Sequence, residues 1–533
     1  MELKVIQHLL TNFPVKTPKR LQQIVEVGTC IMSSTTELDV LSTVTLNIES
    51  DIDKFSFSEH CISVMILKEK FIQTRSYTEY DIPTIALPST LFCCNKSIKI
   101  DNRYCKALMY DICKVSNLKN YHGRCRDCKT SYYYNYQENN DGSRTYNDND
   151  SFLMLTSQLA FSSDLLKYID GMVAIGAMSF ERTTKVYSHV IGSQSVNKNN
   201  IENIWFLYRI LQYRKHFQIW PRKNHGETDT EQLCKFVYSD IKEFIDNKWI
   251  KHICEDPGCR TRALIVDGNE KIYRLICGAP KERIVGITGR PNIYKGCINF
   301  PVVGNKYAPP SKFCESHTAE MSGPTEEQMD IRPATRSYFQ TLDRTVEINE
   351  GCKKSECINR YYERSAGMFY YFRSCGVRVS HHEMYSAEAY SDLFVNLVDL
   401  FGNNPDPADV SAIVYDRACG FKPFLDRLAK EGNNDARNYA KLDFIVDRFH
   451  IAKHTEKKCD ITSELCAYHP DLPQFVTYRC LNTEIAEQSF GPINWFKCST
   501  RKMSLCRRLL FFKLIDDSAN TSIISTKQGS SKS

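Results

Sequence analysis

Three apolar runs in this chain end on, or lead into, an acidic residue, and a chain patterned that way has few folds open to it. They are Ala263–Val266 before Asp267, Ser411–Tyr415 before Asp416, and the segment LNTEIAEQSF, which carries Glu484 and Glu487 three residues apart. A short apolar run bounded by turn residues reads as a buried strand, and the functional groups of α/β sheets gather at the carboxyl ends of such strands. Two strand-end aspartates and a helix glutamate together make an oxygen-rich donor set, which suits a hard divalent cation such as magnesium or manganese. A pair of such ions about 3.5–4 Å apart serves phosphodiester chemistry. Each station also has a bland reading. Asp267-Gly268 is a strong signal for a type I′ hairpin turn joining Ala263–Val266 to Lys271–Cys277. Asp416 is positioned to cap the helix that follows it, and either glutamate reads equally well as a solvated helix face.

Between and after these stations the pattern alternates. Residues 365–380 read as paired strands and 386–402 as a helix. SAIVYD, FKPFLDRLAKEG and LDFIVDRFH then repeat strand, helix and strand, the rhythm of an α/β unit. At 533 residues the chain exceeds what one core can serve. We divide it into an N-terminal module with a cysteine cluster over 1–136, a linker over 137–151, a helical region over 152–250, an α/β core over 251–517 and a disordered polar tail over 518–533. The linker assignment rests on the polar run QENNDGSRTYNDNDS, and 321–337 reads as a second connector. Short elements are expected at Pro18–Val27 (helix) and 61–67 (strand).

Cysteine is the compositional outlier, with 23 residues. The N-terminus lacks the basic start and long apolar segment of a secretory signal, and no run is long and apolar enough to cross a bilayer. In that setting cysteines point to zinc before disulfides, so an intracellular, non-membrane protein is expected. Cys254-x4-Cys259 with Cys314-x2-His317 is the leading ligand set. Cys277 and Cys297 are expected to join a second site with Cys352 and Cys357 or with Cys375. The Cys125-x2-Cys128 knuckle needs a second pair, from Cys93 and Cys94 or Cys105 and Cys113. A further group, Asp447, His450, His454 and Cys459, lies at helical and near-helical spacing and suits zinc; the alternative is that His450 is structural. Buried thiols without metal are the alternative for all these cysteines.

The net charge of +6 permits a nucleic-acid partner without demanding one. Local clustering is more telling, since residues 497–513 hold six basic residues and no acidic one. Lys497, Arg501, Lys502, Arg507 and Arg508 follow directly on Glu487, where a phosphate backbone would be held. The competing reading is an amphipathic helix whose Leu505, Leu509, Leu510 and Phe512 pack inward.

In order, Cys-x4-Cys, DGNEKIYR, SCGVRVSHHEM, IVYDRACG, DRFHIAKHTEKKC and LNTEIAEQSF resemble the Kyakuja–Dileera–Zisupton (KDZ) transposases over about residues 250–515. The likeness is greatest to the animal branch with cysteine clusters, often named after a high-mobility-group-box protein, although no such box is recognisable. The resemblance implies a ribonuclease-H-like core with a zinc-bearing insertion at about 279–360. It implies two magnesium ions held by Asp267 as the first-strand aspartate, Asp416 as the fourth-strand aspartate and Glu487 as the helix glutamate, with Glu484 its rival. Asp447 and His450 match an Asp-x-x-His element near the active site of related superfamilies. Glu270 stands where the family carries an aromatic, and Phe490 where it often carries tryptophan.

The expected function is that of a DNA transposase: metal-dependent cleavage at element ends, then strand transfer into target DNA. Transposon terminal repeats are the expected partner, a homo-oligomer the expected assembly and the nucleus the expected compartment. The alternative is a domesticated, non-catalytic DNA- or chromatin-binding zinc protein on the same scaffold. An unrelated zinc-stabilised interaction protein is a third reading, and it requires the acidic stations to lie far apart.

Overall fold

The structure, a computed structural model, describes residues 92–146, 152–192, 196–213, 229–279, 297–299, 311–321, 363–384 and 388–530, with residue 301 and strands at 84–85, 218–220, 282–284 and 293–295. The segments expected at Pro18–Val27 and 61–67, Cys352 and Cys357, and the connector from 322 onward lie outside the described residues. The chain divides into two units, Met1–Leu233 and Cys234–Ser533. Among the described residues no helix is long and apolar enough to cross a membrane.

The first unit is built on β1 (Thr84–Ile85), β2 (Ile100–Tyr110), β3 (Val115–Arg124), β4 (Ser131–Tyr132), β5 (Tyr136–Glu138), β6 (Arg144–Tyr146), β7 (Phe152–Thr156), β8 (Leu159–Ser162) and β9 (Gln218–Trp220). They form one nine-stranded sheet in the order β9-β6-β5-β4-β3-β2-β8-β7, with β1 paired to β3. Within the expected linker at 137–151, residues 137–138 and 144–146 belong to this sheet, and 147–151 lie outside the described residues. The polar residues between the two strands make a turn, in which Asp141 Oδ1 accepts the Ser143 N–H at 2.9 Å and Gly142 sits at φ +83°. Turn chemistry and linker composition look alike in sequence. Likewise, the region from 152 opens on the β7–β8 hairpin before its helices begin. These are α1 (Ser163–Asp170), α2 (Phe180–Val190) and α3 (Lys198–Leu211), and the side chains of Ser162, Ser179 and Asn197 cap their N-termini. Asp170 holds α3 to α1, accepting from Trp205 Nε1 at 2.9 Å and Arg209 Nε at 2.6 Å.

The second unit begins within α4 (Asp229–Ile250) and centres on β10 (Leu264–Asn269), β11 (Gly367–Phe372), β12 (Arg378–Met384), β13 (Ala412–Tyr415) and β14 (Asp443–Ile445). The sheet order is β12-β11-β10-β13-β14. β11 is antiparallel to both neighbours, while β10, β13 and β14 run parallel. Both faces are covered, as a mostly parallel sheet requires. Leu264, Val266, Phe369 and Tyr371 face one core with α5 (Tyr390–Phe401) and α6 (Ala418–Lys430). On the other face Tyr370 meets Phe490 of α9 (Ile485–Asn494) and Phe512 of α10 (Leu505–Ser530). Leu264, Ile265 and Val266 are fully buried, each contributing roughly 1.5–3 kcal/mol of hydrophobic stabilisation. The helices α7 (Asn434–Tyr439) and α8 (Arg448–Ile451) flank β14.

Two expectations are corrected here. Asp267-Gly268 is no hairpin turn: β10 runs through both residues, and its antiparallel partner is β11, a hundred residues downstream, with Asp267 opposite Tyr370. Leu275–Ile276 pairs instead with Glu363–Arg364. The polar tail is also helical, since α10 continues to Ser530. Polar residues along α10, Asn520 of the tail among them, are used inward. Asp516 accepts from Arg378 at 2.7 Å and bonds His381 at 2.9 Å, Lys513 pairs with Asp246, and the Asn520 amide bonds both backbone groups of Arg378 on the β12 edge.

Glu383 on β12 sits between Arg274 and Arg508, all three buried, with Arg274 Nη2 at 3.0 Å. Removing the one anion leaves two buried guanidinium groups uncompensated, which costs about 3–5 kcal/mol. Glu383→Ala should therefore lower the urea midpoint of the second unit's unfolding by that equivalent, and an unchanged midpoint would show that the triad is not holding α10 to the sheet.

Candidate active site and cysteine clusters

Parallel pairing of β10 with β13 places Val266 opposite Tyr415, so the next residues, Asp267 and Asp416, emerge side by side. The Asp267 carboxylate accepts its neighbour Gly268 N–H at 2.7 Å. Asp416 does not cap α6: the residue at that helix's N-cap is Arg417, and no side chain caps it. Instead Asp416 Oδ1 is buried with no hydrogen-bond partner. A native structure seldom buries an oxygen in that condition without a use for it.

A further carboxylate, Glu388, converges on the same place without any sequence motif to mark it. It stands just before α5, which starts at Tyr390 and not at the expected Ser386, and its Oε1 is likewise buried and unpartnered. A Cβ on Gly268 would lie 3.0 Å from the Glu388 carboxyl carbon, so glycine is what lets this acid reach β10. The single Glu in Ser-Ala-Glu-Ala carries no motif; it is brought in only by the chain's path from β12, which pairs with β11 beside β10, into α5.

Glu487 approaches from α9. Phe490, one turn on, packs that helix against Tyr370 and Phe372 at ring distances of 6.2 and 6.0 Å. Glu487 Oε1 lies 3.9 Å from His450 Nε2, whose Nδ1 is held by Asp447 Oδ2 at 2.8 Å. Asp447 also caps α8 through the N–H groups of Phe449 and His450, and the Arg448 N–H donates to Thr483 at 3.0 Å, tying α8 to the approach of α9. Glu484 occupies the N-cap position of α9 and is exposed.

The electrostatics follow from burial of like charges. Desolvation, then the charges of Glu388, Asp416 and Glu487, holds the Asp267 carboxyl well above the usual range. Burial and Asp416 push Glu388 up to about 8, and burial pushes Asp416 to about 6. His450 is raised by its bond to Asp447. His450 and Arg417 offset the charge of Asp416 in part, yet Asp416 Oδ1 and Glu388 Oε1 stay buried and unpartnered, and Asp267, Asp416, Glu487 and Glu388 are the residues able to hold a hard divalent cation.

Among the described residues, cysteine and histidine form four groups whose ligand atoms lie within 4.8 Å of one another. Sulfur and nitrogen ligands around one tetrahedral zinc stand about 3.5–3.8 Å apart, whereas bonded sulfurs would be about 2 Å apart. The first group is Cys93, Cys94, Cys125 and Cys128, with Cys93 Sγ 3.4 Å from Cys128 Sγ. Cys93 and Cys94 thus complete the knuckle; Cys105 instead faces His122 at 3.8 Å. The second group is His252, Cys254, Cys259 and Cys375, and the third is Cys277, Cys297, Cys314 and His317. The expected set of Cys254, Cys259, Cys314 and His317 is therefore split between two sites. His252 and Cys375 join the first pair, with Cys375 Sγ 3.5 Å from His252 Nε2. Cys277 and Cys297 join the other pair, with Cys277 Sγ 3.4 Å from His317 Nδ1. Spacing cannot reveal this, because Cys375 arrives on the β11–β12 turn.

Asp447, His450, His454 and Cys459 do not form one ligand set either. Asp447 and His450 bond each other beside Glu487, while His454 and Cys459 group with Cys419. Of the basic run, Lys497, Arg501 and Lys502 are exposed, but Arg508 is fully buried against Glu383 and burial lowers Arg507 to about 10. Those two arginines are structural, as the amphipathic reading of the helix required.

Residues 83–191 match the family described as a CxC5-like cysteine cluster associated with KDZ transposases. The match contains the Cys93–Cys128 group and relates the chain to KDZ transposases, a relation that implies DNA as a partner in general terms. No curated protein and no solved structure matches the chain.

A raised carboxyl pKa means the folded state binds the proton more tightly than the unfolded state, so stability falls as pH rises between the two values. For Glu388 that window runs from its ordinary 4.5 to about 8, and the raised His450 acts in the same direction. In metal-free protein the melting temperature should drop from about pH 5 to about pH 8. Added magnesium should restore it more at the upper end than at the lower. A flat, magnesium-insensitive profile by scanning fluorimetry would contradict this account of the site.

Proposed function

We propose that the second unit is a ribonuclease-H-like transposase core, or a recent descendant of one, that cleaves the DNA backbone. The observation that carries this reading is the convergence of Asp267, Asp416 and Glu487 with Glu388, where Asp416 Oδ1 and Glu388 Oε1 are buried without a hydrogen-bond partner. The first strand of a five-stranded sheet, the end of its fourth strand and a later helix supply these residues in the order that the resemblance to KDZ transposases implies. The cysteine cluster of the first unit supports the same family relation from a separate part of the chain.

In this reading Asp267, Asp416 and Glu487 hold the cations, and Glu388 adds a fourth carboxylate beside Asp267. Magnesium or manganese bound there would supply activation of a water or 3′ hydroxyl and charge stabilisation at the leaving oxygen. His450, oriented by Asp447, keeps Nε2 toward Glu487 and can hold a proton at the edge of the site. Lys497, Arg501 and Lys502 are exposed just after α9 and would contact phosphates. The zinc-ligating groups would shape the fold or read terminal repeats. A homo-oligomer that pairs two DNA ends, working in the nucleus, completes the proposal.

Cleavage of supercoiled DNA with magnesium or manganese is the test, comparing the wild type with Asp416→Asn and Glu487→Gln. Metal-dependent cutting should fall by about a hundredfold or more in each variant. DNA binding without cutting in all three proteins would favour a domesticated DNA- or chromatin-binding role. Cutting that survives both substitutions would mean the site is elsewhere.

A further inference from the structure

Cys419, His454 and Cys459 lie directly behind the acidic site and have no part in the chemistry proposed for it. Cys419 occupies the first turn of α6, three residues after Asp416; His454 and Cys459 follow α8, which starts just after Asp447. His454 Nδ1 stands 3.6 Å from Cys419 Sγ and 3.3 Å from Cys459 Sγ. These separations bracket the roughly 3.5 Å expected between sulfur and nitrogen ligands of one zinc. Both thiols are buried, at 7% and 3% exposure, and the imidazole is half-buried, so one side opens toward solvent.

We infer that Cys419, His454 and Cys459 bind a zinc ion, with solvent in the fourth position, and that this ion is a positioning device for the acidic site. The ion joins the start of α6 to the loop after α8. Asp416 immediately precedes the first of these elements, and Asp447 and His450 open the second. Two acidic stations on separate strands are thereby held at one spacing although their charges repel. The positioning role rests on the proposed cation site; the zinc site itself does not.

Zinc content of the full chain, measured by mass spectrometry on Cys419→Ser, Cys459→Ser and the control Cys480→Ser, separates the two. Cys480 is exposed and belongs to none of the four groups. The first two variants should each hold one equivalent less than the wild type, and the control none less. Equal zinc in all would overturn the site. If the variants fail to fold, an anomalous difference map at the zinc edge from wild-type crystals decides instead: a peak among the three ligand atoms supports the site and its absence overturns it.

Positioning is read separately. Loss of this ion should weaken manganese binding at the acidic site, followed by calorimetry, about tenfold to a hundredfold, with DNA cutting reduced in parallel. Zinc loss with manganese affinity unchanged would overturn the positioning role. A wild type that binds zinc at these residues but neither binds manganese nor cuts DNA would sink the nuclease reading and leave the zinc site standing.

Discussion

The register between two parallel strands governs this molecule's chemistry. With Val266 beside Tyr415, the aspartates that follow are forced together at one edge of a sheet whose interior is apolar. Neither acid can turn away without moving its strand, and a one-residue slip would send each to the opposite face. The second unit therefore carries a local repulsion that the rest of its structure must hold in place. Burial strengthens that repulsion, because charges in a medium of low polarizability are poorly screened.

Elsewhere in the unit, long-range polar and ionic contacts fasten the strands and helices that carry these acids. Arg373, fully buried, donates to the carbonyls of Ile250, Arg262 and Asp409 and so fastens the end of α4, the entry to β10 and the entry to β13. Glu383 with Arg274 and Arg508, and Asp516 with Arg378 and His381, fix α10 across β12. Such groups add little net stability compared with apolar replacements, but each breaks at high cost when one partner is removed. Their effect is to favour one arrangement of helices and strands over near alternatives, which a site that depends on placement needs.

Local pattern made part of this legible. The apolar runs before Asp267 and Asp416, the paired strands near 365–380, the helix after Glu484 and the Cys125–Cys128 knuckle can be read from a few adjacent residues. What escaped was set by partners far apart in the chain. β10 looked like half of a local hairpin because Asp-Gly favours such turns, yet β11 offered an all-buried run of six residues to pair with. Glu388 has no local signature. His252, Cys375 and Cys419 lie at no metal-binding spacing and become ligands only when the sheet delivers them. The polar tail from Ser518 looked disordered because its composition is polar, yet Asn520, like Asp516 and Asp517 just before it, satisfies groups far away in the chain, on β12 and α4.

The role of α10 has a consequence for how the unit acquires its structure. Lys513, Arg508 and Asp516, the partners of Asp246, Glu383 and Arg378, all lie on this helix, which is the last described element of the chain. During synthesis the acidic strands and the helices above them emerge first, and they wait without these counter-charges. Closure of the sheet is thus a late event, dependent on contacts of very long sequence separation, and such contacts form slowly. A nascent chain of this kind is exposed to misassembly until α10 docks.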